Sequence, residues 1–312
     1  MKTPKTSSIK TDVYTRVTDR IIEALEAGTR PWLKPWSAPK DERLPLLPLR
    51  GNGMPYRGIN ILLLWGDAMD KGFSCNTWMT YKQAEERGAH IRKGEHGSMV
   101  VYADRASKTE TNDKGEEVER DFAFMKAYTV FNVEQIEGLP SSFYEPPAPR
   151  DEGHTLEMIA EAESFFAATG ATFRHGGNRA FYTTAGDFIQ LPPLQAFRDA
   201  ESYTAIKAHE LVHWTGHENR MARAFGKRFG DKAYAFEELV AELGSAFLCA
   251  ELGVTPEPRE DHAAYLASWL KVLKEDKRAI FSAAAHAQRA ADFLQGLQRG
   301  EEAVAEDELQ AA

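Results

Sequence analysis

The sequence predicts an α+β protein, with a mixed α/β N-terminal domain followed by a mostly helical domain that carries a small sheet. In the first 139 residues, helical spacing of apolar residues alternates with short β-type runs. The stretch PSSFYEPPAPRDEG, at 140–153, has four prolines and is typical of a linker. Beyond it, long helical patterns dominate. We therefore expect domains over 1–139 and 154–300, a linker over 140–153 and a flexible tail over 301–312.

In the N-terminal domain, apolar residues that recur every four positions predict a first helix from near Asp12 to Gly28. Proline in the segment TRPWLKPWSAPK that follows favours extended chain there. The remaining elements are predicted in chain order: a loop over Arg43–Arg57, a helix over Ile59–Lys71, a short helix opened by the capping box Thr80-x-x-Gln83 and closed by Gly88, a strand over Met99–Tyr102, a polar hairpin tip over 104–121 and a strand over Phe122–Val133.

The C-terminal part begins with a predicted helix over 155–169. A strand-like segment over Phe181–Leu191 follows and is closed by two prolines. Helical patterns then occupy residues near 202–217, 233–252, 260–275 and 276–297. The Ala- and Glu-rich sequence after Gly300 is expected to fray.

Composition excludes several classes of protein. The chain has 312 residues, of which 43% are hydrophobic and 27% charged, unlike a disordered chain or a fibre. No apolar run approaches the roughly 20 residues that span a bilayer, and no apolar stretch follows the basic start. Two distant cysteines, Cys75 and Cys249, exclude a disulfide framework. We expect a cytoplasmic protein with no membrane partner.

Charge and aromatic residues are unevenly distributed. Residues 1–100 hold 16 Lys and Arg against 11 Asp and Glu, whereas residues 141–312 hold 17 against 27. Four of the six tryptophans also lie in the first quarter of the chain. Cations with aromatic rings are what a single-stranded nucleic-acid groove requires. The alternative is that these rings belong to the hydrophobic core.

The motif HELVH at 209–213 carries the clearest chemistry. His209 and His213 are four residues apart, so both imidazoles lie on one face of a helix and can bind one Zn²⁺. Glu210 is placed to reach a zinc-bound water as general base. Zn²⁺ is the expected ion, and another divalent ion such as Mn²⁺ remains an alternative.

A third ligand is expected from the next helix, YAFEELVAELGSAF. Its E-x-x-A-E pattern resembles the third-ligand helix of gluzincins, with Glu238 as ligand and Glu242 as acceptor for the N–H of a ligand histidine. The metzincin pattern is excluded, because Asn219 stands where its third histidine would be. Tyr234, Tyr182 and His217 are candidates to stabilise the oxyanion, and the sequence does not choose among them.

Several motifs in a fixed order resemble the ArdC family of plasmid antirestriction proteins. These are Tyr56-Arg-Gly-Ile-Asn60, Trp78-Met-Thr-Tyr-Lys-Gln83, Ile91-Arg-Lys-Gly-Glu95, Tyr128-Thr-Val-Phe-Asn-Val-Glu-Gln135 and the runs AHELVHWTGHENRMAR and YAFEELVAELGSAFL. The resemblance covers roughly residues 12–298, and its N-terminal part is also similar to a module of TraC-type plasmid primases.

The resemblance implies an N-terminal domain that binds single-stranded DNA and a C-terminal zincin-like metallopeptidase domain. It also implies a plasmid-borne protein that protects incoming DNA from host restriction during conjugation. The residues that we expect to contact DNA are Trp32, Lys34, Trp36, Tyr56, Arg57, Lys82, Arg92 and Lys93.

Two alternatives stay open from the sequence. The chain could be an intracellular zinc metallopeptidase whose N-terminal domain recognises host protein substrates. It could also be a DNA-binding protein whose zincin domain is inactive.

Overall fold

The computed structural model describes residues 12–32, 47–111, 117–144, 152–226, 231–254 and 262–310. Its helices are α1 (Val13–Glu26), α2 (Ile59–Lys71), α3 (Tyr81–Glu85), α4 (Glu152–Ala168), α5 (Ala200–Thr215), α6 (Lys232–Glu251), α7 (His262–Glu275) and α8 (Ala279–Gln310). The α+β class is confirmed, with helices concentrated in the C-terminal part. None of the helices in these ranges is long and apolar enough to cross a membrane.

The strands within these ranges form three sheets. They are β1 (Leu49–Arg50), β2 (Thr77–Met79), β3 (His90–Ile91), β4 (Ser98–Thr111), β5 (Glu117–Asn132), β6 (Ile136–Glu137), β7 (Thr172–His175), β8 (Phe181–Thr183) and β9 (Phe188–Leu191). The first sheet has the order β1-β2-β5-β4, the second pairs β3 with β6, and the third has the order β7-β9-β8. Strand β8 therefore lies at an edge, antiparallel to β9.

Local capping signals place the N-terminal helices where the sequence predicts them. The Asp12 side chain accepts from the backbone N–H of Tyr14 and caps α1. At α3, the predicted capping box is complete: Thr80 accepts from the Gln83 N–H, and the Gln83 side chain accepts from the Thr80 N–H. Helix α2 has the predicted bounds and ends at Gly72 in the left-handed region.

The long hairpin differs from its prediction. Residues 104–121 were expected to form a solvated tip, but β4 runs to Thr111 and β5 begins at Glu117. The sequence of this segment is mostly polar and lacks the apolar alternation that marks a half-buried strand. Polarity alone therefore suggested a loop where the backbone is paired.

The C-terminal part also departs from its predicted elements. The segment over Phe181–Leu191 is two antiparallel strands, β8 and β9, rather than one. Their turn contains Asp187, at φ 44°. Helix α8 extends through residues 301–310, most of the expected tail. In the proposed linker, the Tyr144 hydroxyl donates to the Ile136 carbonyl, so its first residues pack on the N-terminal part.

A single hydrophobic cluster joins the two halves of the chain. It contains buried residues of α1 and α2 together with residues of α4, α5, α6, α7 and α8. The Trp65 ring of α2 lies 6.1 Å from the Phe247 ring of α6. The Thr18 hydroxyl also donates to the Lys277 carbonyl, at 2.6 Å. The N-terminal helices are thus part of the core that supports the C-terminal helices.

Helices α5 and α6 pack closely at Gly244. A Cβ added there would lie 2.9 Å from both Cγ atoms of Val212, which is too close for an ordinary contact. Glycine inside a helix costs about 0.5–1 kcal/mol relative to alanine. The close approach of the two backbones explains why this position carries no side chain.

We predict that Gly244→Ala lowers the free energy of unfolding by about 1–2 kcal/mol, because an overpacking penalty of about 1–3 kcal/mol outweighs the gain in helix propensity. The control is Gly296→Ala in α8, where an added Cβ has nothing within 4 Å. That change should raise the unfolding free energy by up to about 1 kcal/mol. Urea unfolding of both variants makes the comparison, and stabilisation by both would contradict the close packing.

Candidate functional site

Helix α5 holds both histidines of the HELVH motif on its buried side. Asp199 caps the helix by accepting from the Ser202 N–H at 2.7 Å. One turn separates His209 from His213, and their ring centroids lie 4.9 Å apart. The exposed fractions of the two residues are only 5% and 8%.

Helix α6 places Glu238 between the two rings. One carboxylate oxygen lies 3.5 Å from His209 Nε2, and the other lies 3.7 Å from His213 Nε2. Nitrogen and oxygen donors about 2.0–2.2 Å from a tetrahedral ion lie about 3.3–3.6 Å apart, so these nitrogen-to-oxygen distances fit a divalent ion. In the described part of the chain, these three residues form the cluster whose donor atoms all lie within 4.8 Å of one another.

The ionisation of Glu238 suits a ligand. Burial raises the pKa of this carboxyl, but contacts with His209 and His213 and the Tyr234 hydroxyl together bring the pKa down to about 2. The group is therefore a carboxylate at neutral pH. Two imidazoles and one carboxylate are a donor set that zinc and similar divalent ions bind.

Both histidines face a further carboxylate with their second nitrogen. Glu242 Oε2 lies 3.9 Å from His209 Nδ1, on the side expected from the sequence. Glu237 Oε1 lies 3.2 Å from His213 Nδ1, and the sequence analysis missed this residue. Glu237 could have been predicted from the general rule that each metal-binding imidazole donates its second N–H to an acceptor of its own, because two such imidazoles require two acceptors.

Arg223 fixes the position of Glu237. Its Nε and Nη2 donate to the Glu237 carboxylate at 3.0 and 2.8 Å, and its Nη2 also donates to the Val212 carbonyl at 2.6 Å. Burial raises the pKa of Glu237, but the hydrogen bonds from His213 and Arg223 outweigh it and lower the pKa. A charged acceptor is thereby kept beside the His213 N–H.

A cavity of about 850 Å³ opens over this cluster. Its lining includes Glu210, whose exposed fraction is 4%, and residues 178–182, which run into the edge strand β8. Tyr234 also lines it, with its hydroxyl 3.2 Å from the Tyr265 hydroxyl. Burial, the hydrogen bond with Tyr265 and the charge of Glu238 all raise the pKa of Tyr234, so its hydroxyl stays protonated.

The other two oxyanion candidates are less well placed. The Tyr182 hydroxyl donates to Asp187 at 2.9 Å and accepts from Arg220 at 3.2 Å, whereas the Tyr234 hydroxyl hydrogen-bonds with Glu238 itself. His217 is absent from the cavity lining. Its Nδ1 accepts from the backbone N–H of Asn219, just beyond the end of α5. Tyr234 is the candidate that lies beside the ligand set.

The aromatic residues expected to stack on DNA are placed differently from their prediction. Trp32 has an exposed fraction of 1% and Tyr56 of 8%, so neither ring offers a face to a base. These two expectations are corrected: Trp32 lies in the core shared by the two halves, and Tyr56 packs in a smaller cluster with Leu64 and Trp78. Lys34 and Trp36 lie outside the described residues.

The expected basic residues lie at the surface, and three of them have acidic partners. Arg57 pairs with Asp292 of α8, Lys82 with Glu86 at 3.6 Å, and Arg92 with Glu95 at 2.9 Å. Such exposed pairs are weak, at about 0–1 kcal/mol, and a phosphate can compete for the cation. Lys93, in the turn before β4, is exposed.

An exposed aromatic face lies on the long hairpin instead. Tyr102 and Tyr128 have exposed fractions of 50% and 47%, and the Tyr102 ring lies 6.4 Å from the rings of both Tyr128 and Phe124. Lys126 pairs with Tyr102 across the strands, and its Nζ lies 5.1 Å above the Phe124 ring. We call Tyr102, Phe124, Lys126 and Tyr128 the hairpin face. The sequence FAFMKAY, in which aromatic residues recur at every second position or every fourth, could have indicated that these rings share one face of a strand.

Comparison with known families gives two matches. The model of the N-terminal domain of anti-restriction factor ArdC matches residues 11–131, and the model of a zincin-like metallopeptidase matches residues 160–286. The protein y4eC of Sinorhizobium fredii is 40% identical over 306 residues, which are 96% of each chain. DNA primase TraC of Escherichia coli is 41% identical over 306 residues, but the chain spans only 27% of that primase.

Solved structures of antirestriction protein ArdC from plasmid R388 are also similar. The metal-free structure is 44% identical, with a TM-score of 0.78, and the match covers 93% of this chain and 98% of ArdC. The Mn(II)-bound structure is 45% identical, with a TM-score of 0.72, over 92% and 98%. The chain therefore belongs to the ArdC family, with an ArdC-type N-terminal domain followed by a zincin-like domain.

Proposed function

We propose that this chain is an antirestriction protein that binds single-stranded DNA without sequence preference and carries a zinc-dependent peptidase domain. In this proposal, it acts in the cytoplasm and protects incoming DNA from host restriction during conjugation. The observation that carries the enzymatic half is the convergence of two imidazole nitrogens on the Glu238 carboxylate. The Mn(II)-bound structure of the similar protein ArdC supports a divalent ion in this chain.

His209, His213 and Glu238 would hold the ion, and Glu210 would act as general base. When bound, the ion acts as a Lewis acid that polarises the scissile carbonyl and makes a water more acidic. Glu210 is buried and lines the cavity, so its carboxylate can take the proton from that water and return it to the leaving amine. Tyr234 would donate its hydroxyl proton to the developing oxyanion.

The edge strand β8 gives a peptide a place to bind. Residues 178–182 line the cavity, and in the described part of the chain β8 is paired on one side only, with β9. A substrate in extended conformation could add to the free edge by backbone hydrogen bonds. A host protein is the proposed source of that substrate.

We expect Glu210→Gln to keep metal binding but to lower peptidase activity by about 10²–10⁴-fold, because only the general base is lost. Glu238→Gln should instead weaken metal binding by at least about tenfold, since a charged ligand is replaced. Isothermal titration with Zn²⁺ and cleavage of labelled casein measure the two effects. Glu218→Gln, at an exposed carboxylate just after α5, is the matched control and should resemble wild type. Unchanged metal affinity in Glu238→Gln would contradict the site.

The hairpin face supports the nucleic-acid half of the proposal. Exposed rings beside a cation suit stacking of bases together with attraction of phosphates, which tolerates any sequence. The Tyr102 hydroxyl donates to Asp104 at 2.5 Å, which orients this ring. Arg92 and Lys93 belong to the turn that precedes β4 and remain proposed phosphate contacts.

We predict that the double variant Tyr102→Ala and Tyr128→Ala weakens binding of an oligo(dT) strand by about 2–4 kcal/mol, since stacking contributes about 1–3 kcal/mol per base. The matching double variant with Phe at both positions keeps the rings and should bind nearly as well as wild type. Lys126→Ala should reduce the slope of the logarithm of affinity against the logarithm of salt concentration by about 0.7, because one phosphate contact is lost. Fluorescence anisotropy at several salt concentrations gives all three values. Equal affinity of the alanine and phenylalanine variants would rule out stacking on this face.

Transfer of a plasmid into a restricting host tests the biological role. Donors that supply the wild-type chain should give more transconjugants than donors with an empty vector, and the alanine double variant should lose this gain. No gain with the wild-type chain would contradict an antirestriction function. Glu210→Gln separates this proposal from the alternative in which the zincin domain is inactive. If the domain is inactive, this variant should protect the incoming plasmid as well as wild type does, whereas the proposal predicts weaker protection.

A further inference from the structure

We propose that Arg30 and Trp32, which follow α1 in the N-terminal half, are positioning residues of the metal site in the C-terminal half. They hold the Glu242 carboxylate, and Glu242 in turn faces the second nitrogen of His209. This inference rests on the proposed metal site and adds to it a dependence on the N-terminal half.

The contact between Trp32 and Glu242 is a buried hydrogen bond. The Trp32 indole Nε1–H donates to Glu242 Oε1 at 3.2 Å, and Arg30 Nη1 lies 3.9 Å from the same oxygen. Trp32 and Glu242 have exposed fractions of 1% and 6%, and the Arg30 side chain is 18% exposed. A buried carboxylate is costly without partners, so a donor and a cation from the N-terminal half offset part of the cost of burying Glu242.

The other oxygen of Glu242 points at the metal site. Glu242 Oε2 lies 3.9 Å from His209 Nδ1, which is longer than a hydrogen bond. In the described part of the chain, this buried Nδ1 has no hydrogen-bond partner. A small movement of Glu242 therefore decides whether the His209 Nδ1–H forms a hydrogen bond with Glu242 Oε2. That hydrogen bond would fix the ring with Nε2 free to bind the ion.

Trp32 is well suited to fix this distance. Its ring packs edge-on against Trp269 of α7, with centroids 6.0 Å apart, so the indole cannot turn without displacing the core. His213 needs no such help, because Arg223 of the C-terminal half already holds its acceptor Glu237. The two ligand histidines are thus oriented by different halves of the chain.

The contact also crosses the boundary between the two family matches. Arg30 and Trp32 lie within residues 11–131, which match the ArdC N-terminal domain, whereas His209 and Glu242 lie within residues 160–286, which match the zincin-like domain. Metal affinity should therefore depend on the N-terminal half, although the candidate ligands found among the described residues all lie in the C-terminal half.

The test compares Trp32→Phe with Trp78→Phe in the full-length chain. Trp32→Phe removes the N–H donor and keeps a ring in the core. Trp78 is equally buried, at 1% exposed, but packs against Phe73 in the N-terminal part, so its change controls for loss of an indole in the core. Zn²⁺ affinity by isothermal titration is the main readout, and the melting temperature of the metal-free variants reports general destabilisation.

We expect Trp32→Phe to weaken Zn²⁺ binding by about fivefold, and Glu242→Ala by about tenfold or more, the usual effect of losing a carboxylate behind a ligand histidine. Arg30→Met should act in the same direction with a smaller change. Trp78→Phe should bind Zn²⁺ like wild type. In a Glu242→Ala background, Trp32→Phe should have no further effect, because it acts through Glu242.

Two results would overturn the inference. One is Zn²⁺ affinity in Trp32→Phe equal to that in wild type and Trp78→Phe. The other is an equal loss in the presence and absence of Glu242, which would mean a general effect on folding. Failure of the proposed metal site gives a different pattern, because wild type itself would then bind no Zn²⁺ and Glu238→Gln would change nothing.

Discussion

The close packing of α5 against α6 is the constraint on which the rest of the site depends. Gly244 lets the two backbones approach at Val212, one residue before His213. At this separation, α6 can insert Glu238 between the rings and also present Glu237 and Glu242 to their second nitrogens. One helix thus supplies the proposed third ligand, Glu238, together with the two carboxylates that face the second nitrogens of the histidines. Its register sets the geometry of all three carboxylates.

The N-terminal half contributes to this arrangement through the shared core. Helices α1 and α2 pack in the same cluster as α5 and α6, and the Gly58 N–H donates to Gln288 of α8. Charge and aromatic content suggested two units with separate roles, and the roles stay separate in the proposed function. In the structure, however, residues from the first quarter of the chain pack in the same hydrophobic core as the C-terminal helices.

The sequence predicted the parts of the site that depend on local spacing. Helix geometry predicted that His209 and His213 share one face, and the resemblance of the E-x-x-A-E pattern to the gluzincin third-ligand helix predicted Glu238 and Glu242. The structure brings these side chains together, and their roles at a metal stay predictions. The burial of Trp32 was not predictable from the sequence. A tryptophan beside prolines has the same local pattern whether its ring faces solvent or packs, as here, against Trp269 of the distant helix α7.

The hairpin shows the same limit for the fold. Beyond the predicted strand Met99–Tyr102 the sequence is mostly polar, so no apolar periodicity indicated that β4 continues to Thr111. The exposed rings of Tyr102 and Tyr128 become one face only when the register places residues 102 and 126 opposite each other. Tyr182 illustrates a third case, since its hydroxyl donates to Asp187 across the β8–β9 turn, a contact that no pattern in the sequence indicates.

X-ray absorption spectroscopy of the Zn²⁺-loaded chain tests the central claim most directly, because it reports the ligand atoms without requiring activity. The account predicts one ion per chain with two imidazole nitrogens at about 2.0–2.1 Å, one carboxylate oxygen at about 2.0–2.2 Å, and outer-shell scattering from two histidine rings. A coordination shell of oxygens alone, without imidazole scattering, would contradict it.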